Sequence, residues 1–182
     1  MISKSSEEQQ TLYDNYWVNI ENIVGNDDVS ILAKNYLIMK TYDDVVNSEI
    51  YSDFKYYFSN TSISHEEILK ELEIFAKYFS WINKFNSPNK ELNKYFQELN
   101  ALKTDDIYPL YLYLINALYD SNETELVKIF KLLTDFLLRY RIVAPAGGGG
   151  VLRSVIQNLI RKMDSNEIEI NYEAIYFELS NS

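Results

Sequence analysis

Apolar residues recur at steps of three and four along almost the whole chain, and no alternating run is long enough for a sheet strand. That periodicity is the spacing of one helix face. It predicts an all-α fold: a multi-helix, bundle-like domain with short loops. Tyr13, Tyr16, Trp17, Ile20 and Ile23 form the first stripe, which starts at Ser5 or Ser6 and ends at Gly25. A second helix is expected from Asp28 to about Lys40. A short third from Ser48 carries Ile50, Tyr51, Phe54, Tyr57 and Phe58.

Punctuation places the rest. Ser64 followed by Glu67 reads as a capping box for a helix with Ile68, Leu72, Phe75, Phe79 and Ile82 on one face. Ser87 is the expected cap of the next helix, with Pro88 at its first position. Pro109 opens an apolar helix ending near Tyr119, too short for a bilayer span of roughly 20 residues, so it reads as a buried core helix. Asn122 and Glu125 form a further cap pair ahead of a long helix with Leu126, Ile129, Phe130, Leu133, Phe136, Leu137 and Tyr140 on one side. Val151 to about Met163 makes the penultimate helix after a glycine-rich turn, and NYEAIYFEL a last short turn or helix.

Residues 1–182 are expected to form a single helical domain, with a weak sub-boundary near 85–90, excised from a larger protein. At 47% hydrophobic content the chain is large enough to bury a substantial core. The absence of cysteine removes disulfides and thiolate metal sites, and fits a reducing cytoplasm. No membrane segment or secretory leader is read. His65 is the only histidine; beside a helix cap it reads as a surface residue. The pairs Asp27/Asp28, Asp43/Asp44, Glu66/Glu67 and Asp105/Asp106 read as helix-start charges that complement the macrodipole. No catalytic residue, metal site or cofactor is therefore assigned.

The net charge of −10 disfavours broad attraction to nucleic acid, which makes one basic segment conspicuous. All four arginines, Arg139, Arg141, Arg153 and Arg161, fall in residues 139–162, together with Lys162 and no acidic residue. Arg153, Gln157 and Arg161 follow one another at intervals of four and line one polar stripe. Guanidinium groups match phosphate geometry, so the segment is a candidate DNA or anion contact. The competing reading is that these cations complement helix dipoles and pair with the chain's own carboxylates. Gly147 to Gly150 precede the penultimate helix; each ordered glycine costs roughly 0.5–1 kcal/mol relative to alanine. The run is either a hinge or a backbone contact to a phosphate or a partner, with Gly148 and Gly149 at its centre.

YDNYWVNIENIVGNDDVSILAKNYLIMKT, EIYSDFKYYF, ILKELEIFAKYFSWI and YPLYLYLINALYDSNETELVKIFKLLTDFLLRYRIV, spread over roughly residues 10–175, resemble the helical middle region of GmrSD-type proteins. These are modification-dependent restriction factors of bacterial anti-phage defence. The resemblance implies a ParB-like nucleotide-using domain with an Asp-Gly-Gln-Gln-Arg motif on one side, and often a His-Asn-His-type nuclease on the other. EEQQT at residues 7–11 lacks the first motif, and one histidine cannot supply the second. In FLLRYRIV, Arg139 is the matching family position. The implied role is a non-catalytic connector or sensor segment that couples these flanking domains, with DNA as a candidate contact. Two other readings remain open: a protein-interaction module with an aromatic groove, and a small anion- or nucleotide-binding domain using the glycine run.

Overall fold

A computed structural model describes residues 10–143 and 149–181. Every regular element among the described residues is helical, as the periodicity requires. The expected start at Ser5 or Ser6 lies outside the described residues, as do Gly147 and Gly148. A π-helical turn, Tyr13–Trp17, runs into α1 (Val18–Val24). Then follow α2 (Val29–Thr41), α3 (Ile50–Asn60), α4 (His65–Lys84) and α5 (Lys90–Ala101). A 3-10 turn, Asp105–Ile107, leads into α6 (Tyr108–Leu118). The chain continues through α7 (Glu123–Val143), α8 (Gly149–Asp164) and α9 (Tyr172–Ser180).

Several boundaries follow from local chemistry. Gly25 ends α1 with φ of 93°, a conformation that a side chain disfavours. The capping box at Ser64 is formed in both directions: its hydroxyl accepts from the Glu67 N–H at 3.2 Å, and the Glu67 carboxylate accepts from the Ser64 N–H at 3.0 Å. The cap of α5 differs from expectation. Asn89, not Ser87, accepts from the N–H groups of Glu91 and Leu92, and Pro88 lies ahead of the helix. Ser87 is used in the preceding turn, where its hydroxyl donates to the Asn89 carbonyl. Asn122 does accept from the Glu125 N–H, but Glu125 does not reach back. Its carboxylate accepts from the Tyr172 N–H at 2.7 Å, joining the start of α7 to the start of α9. That bond holds the Glu125 carboxyl below its ordinary value.

The apolar helix α6 is the centre of the molecule. Tyr108, Leu110, Tyr111, Leu112, Leu114, Ile115 and Leu118 are all buried, because α2, α4, α7 and α8 surround it. One continuous set of buried side chains runs from Ile20 in α1 to Leu179 in α9, and includes Phe79 in α4 and Phe96 in α5 on either side of residues 85–90. Helix α3 is the exception. None of its residues is fully buried, and it packs chiefly on α2.

One polar group inside this core stands alone. The Tyr111 hydroxyl is buried with no hydrogen-bond partner among the described residues. An unsatisfied buried polar group costs about 1–3 kcal/mol. Tyr111→Phe is accordingly expected to raise stability by about 1 kcal/mol, measured as a higher denaturant midpoint at unchanged slope. A lower midpoint would mean that the hydroxyl has a partner after all.

Candidate functional site

The segment 139–162 spans the end of α7 and most of α8, and its polar side chains turn mostly onto the protein itself. Arg139 is exposed, and its Nε donates to the Asp135 carbonyl one turn back at 3.1 Å. Arg141 reaches across to the turn after α5: Nε donates to the Thr104 hydroxyl at 3.1 Å, and Nη2 to the Lys103 carbonyl at 2.7 Å. Thr104 is buried, so this contact fixes the end of α7 against the approach to α6.

Helix α8 buries Leu152, Ile156, Leu159 and Ile160 and leaves Arg153, Gln157 and Arg161 half-buried at its edge, the split the spacing predicts. Arg153 lies between two aspartates from distant parts of the sequence. Its Nε donates to Asp106 at 3.2 Å, and its Nη1 to Asp44 at 3.3 Å. Gln157 Nε2 completes the cluster by donating to the other Asp44 oxygen at 2.8 Å. Burial alone would lower the Arg153 value, but the two carboxylates outweigh it and hold the guanidinium more firmly charged. One side chain thereby ties α8 to the 3-10 turn and to the loop between α2 and α3.

Arg161 Nη1 donates to Glu167 at 2.6 Å, and Nη2 to Asn158 at 3.2 Å. Lys162 donates to Glu178 at 2.6 Å and pins α9 to α8. Gly149 is the first residue of α8, two positions earlier than the expected start at Val151. Gly148 lies outside the described residues. Arg153, Gln157, Arg161 and Lys162 therefore meet carboxylates of the same chain, the geometry of the competing reading for this band. Partly exposed pairs of this kind contribute about 0–1 kcal/mol each.

Sequence reading missed the partners. Asp43 and Asp44 were expected to begin a helix, yet they lie in the loop between Thr41 and Ile50. That loop and α3 border a cleft of about 470 Å³, walled by Leu37, Val45, Tyr56 and Tyr57 and edged by Asp43, Asp44 and Asp53. The recurrence of Asp53, Tyr57 and Asn60 on one α3 face was the available signal. His65 is exposed and packs its ring against Phe58 at 5.1 Å. No group of three His, Asp or Glu side chains among the described residues is placed to hold a metal ion. No helix among them is long and apolar enough to cross a membrane.

A further, partly buried cluster joins α2 to α4. The Tyr36 hydroxyl donates to Glu71 at 2.7 Å, and Lys40 bonds the other oxygen of the same carboxylate at 2.5 Å. Burial, reinforced by Glu71, raises the Tyr36 phenol well above its ordinary value. Tyr57, which lines the cleft, packs edge-on against the Tyr36 ring at 6.1 Å.

The fold and its polar clusters define an all-helical domain cross-linked by its own ion pairs. Comparison of the chain with protein-family models, curated proteins and solved structures gives no significant match.

Proposed function

We propose that this chain is a non-catalytic helical connector of a GmrSD-like restriction protein in the bacterial cytoplasm. It would hold a nucleotide-using part and a nuclease part in a set relation to each other. The supporting observation is the continuous apolar core from Ile20 to Leu179, cross-linked by Arg141, Arg153 and Lys162. Close-packed interiors transmit displacement instead of absorbing it. A body of this kind suits a role in which one end reports on the other. The sequence resemblance supplies the identity of the flanking parts.

In this reading the basic band works inside the protein, and DNA contact through Arg153 is the alternative. Binding of a short duplex at low salt, followed by fluorescence anisotropy, separates them. The expected result is no specific binding, with Arg153→Ala lowering thermal stability by about 1 kcal/mol through loss of its ties to Asp44 and Asp106. Binding whose salt dependence flattens by about one unit in Arg153→Ala would return that arginine to the nucleic acid. Nuclease or nucleotide hydrolysis by the purified chain, abolished by a single substitution in it, would overturn the non-catalytic assignment.

A further inference from the structure

Apart from the basic band, the cleft between α2 and α3 combines volume, aromatic walls and one sign of charge. We propose that it binds a small organic cation with an apolar body. The inference does not depend on the connector reading.

At about 470 Å³ the cleft is the size of a small-molecule site, for which 300–1,000 Å³ is usual. Leu37 and Val45 are buried beneath it and provide an apolar floor. Tyr56 and Tyr57 provide aromatic surface along α3, and Tyr56 is 72% exposed. Asp53, Tyr57 and Asn60 share one helix face, so the lined stretch of α3 is about 10 Å long at 1.5 Å per residue. That length suits a guest of one ring and a short chain, and is too short for a docked helix.

Charge selects the guest. Among the described residues, no lysine or arginine lines the cleft. Asp44 is already held by Arg153 and Gln157. The carboxylates of Asp43 and Asp53 have no hydrogen-bond or ion-pair partner among the described residues. An anion would meet three carboxylates, and a neutral guest would gain only apolar burial. The three do not converge as metal ligands. A single ammonium group beside an apolar body matches both features, and the tyrosine faces add cation–π attraction.

Three compounds sharing one body and differing in charge test this: phenethylamine, 2-phenylethanol and phenylacetate, titrated into the full chain while backbone amide shifts are followed by NMR. Phenethylamine is expected to shift amides within residues 37–61, to bind about threefold or more tighter than the alcohol, and to weaken with salt. Phenylacetate is expected to leave those amides unmoved. Asp53→Asn should remove the preference for the amine and leave the alcohol unchanged. Tyr56→Ser, at an exposed position that does not threaten folding, should weaken both. Equal binding of amine and alcohol, shifts outside residues 37–61 only, or an amine preference that survives Asp53→Asn would overturn the proposal.

Discussion

Phe130→Ala is expected to cost about 3–5 kcal/mol, a large share of a typical total of about 5–15 kcal/mol. Phe130 is completely buried on α7. Its ring lies 4.7 Å from Tyr111 of α6 and 5.4 Å from Phe96 of α5, so three helices meet on one side chain. Removing it leaves a cavity that the neighbours cannot fill without moving α5 or α6. The loss should appear as a lower denaturant midpoint with an unchanged slope, and as a melting temperature lower by about 10 °C for a chain of this length. Leu138→Ala is the matched control. It lies on the same helix but is 50% exposed, and should change stability by no more than about 0.5 kcal/mol. Similar losses at both positions would refute the described orientation of α7.

The second large effect is alkaline unfolding. Burial, with Asp105 nearby, pushes the Tyr108 phenol up to about 12. Burial together with Asp164 does the same for Tyr42 and Tyr113, each to about 12. Tyr36 and Tyr111 are also raised, mainly by burial. In the unfolded chain these phenols ionise near their ordinary value of 10.0. Above that pH the unfolded state binds fewer protons than the folded one, so stability falls as pH rises. The contribution of Tyr42, Tyr108 and Tyr113 is therefore whole below pH 10 and is lost on the way to about 12, while Tyr36 and Tyr111 go on losing theirs at still higher pH. Tyrosinate absorbance should show a steep step coincident with loss of helical circular dichroism. A single gradual titration with the helices intact would contradict the burial of these side chains.

Both effects concern residues whose importance is only partly legible from the chain. That Phe130 belongs to an apolar stripe follows from its spacing with Leu126, Ile129 and Leu133. That it outranks Phe136 on the same stripe does not, because Phe136 is only half-buried. Burial depends on what another helix places opposite. The sixteen tyrosines show the same limit. Helical spacing puts most of them on apolar faces, yet Tyr111 is fully buried while Tyr51 is 81% exposed, because α6 is surrounded and α3 lies at the edge.

The basic band illustrates the limit for polar groups. Its composition, its helical stripe and the inward face of α8 were all legible, since they are properties of one segment. Its partners were not. Asp44 and Asp106 stand 109 and 47 residues from Arg153 in sequence, and no local pattern marks them as its counter-ions. The cleft was hidden for the same reason: Asp43 and Asp44 read as helix-start residues until the loop carried them beside α3.

The sequence by itself determined the helical class, most helix limits and the buried faces of α4, α7 and α8, because periodicity and capping act over a single turn. The tertiary structure alone decided which arginines would meet carboxylates, which tyrosines would lose water and where an acidic, aromatic cleft would open. Those outcomes rest on contacts between segments far apart in the chain, where distance and desolvation, not residue type, set the energy.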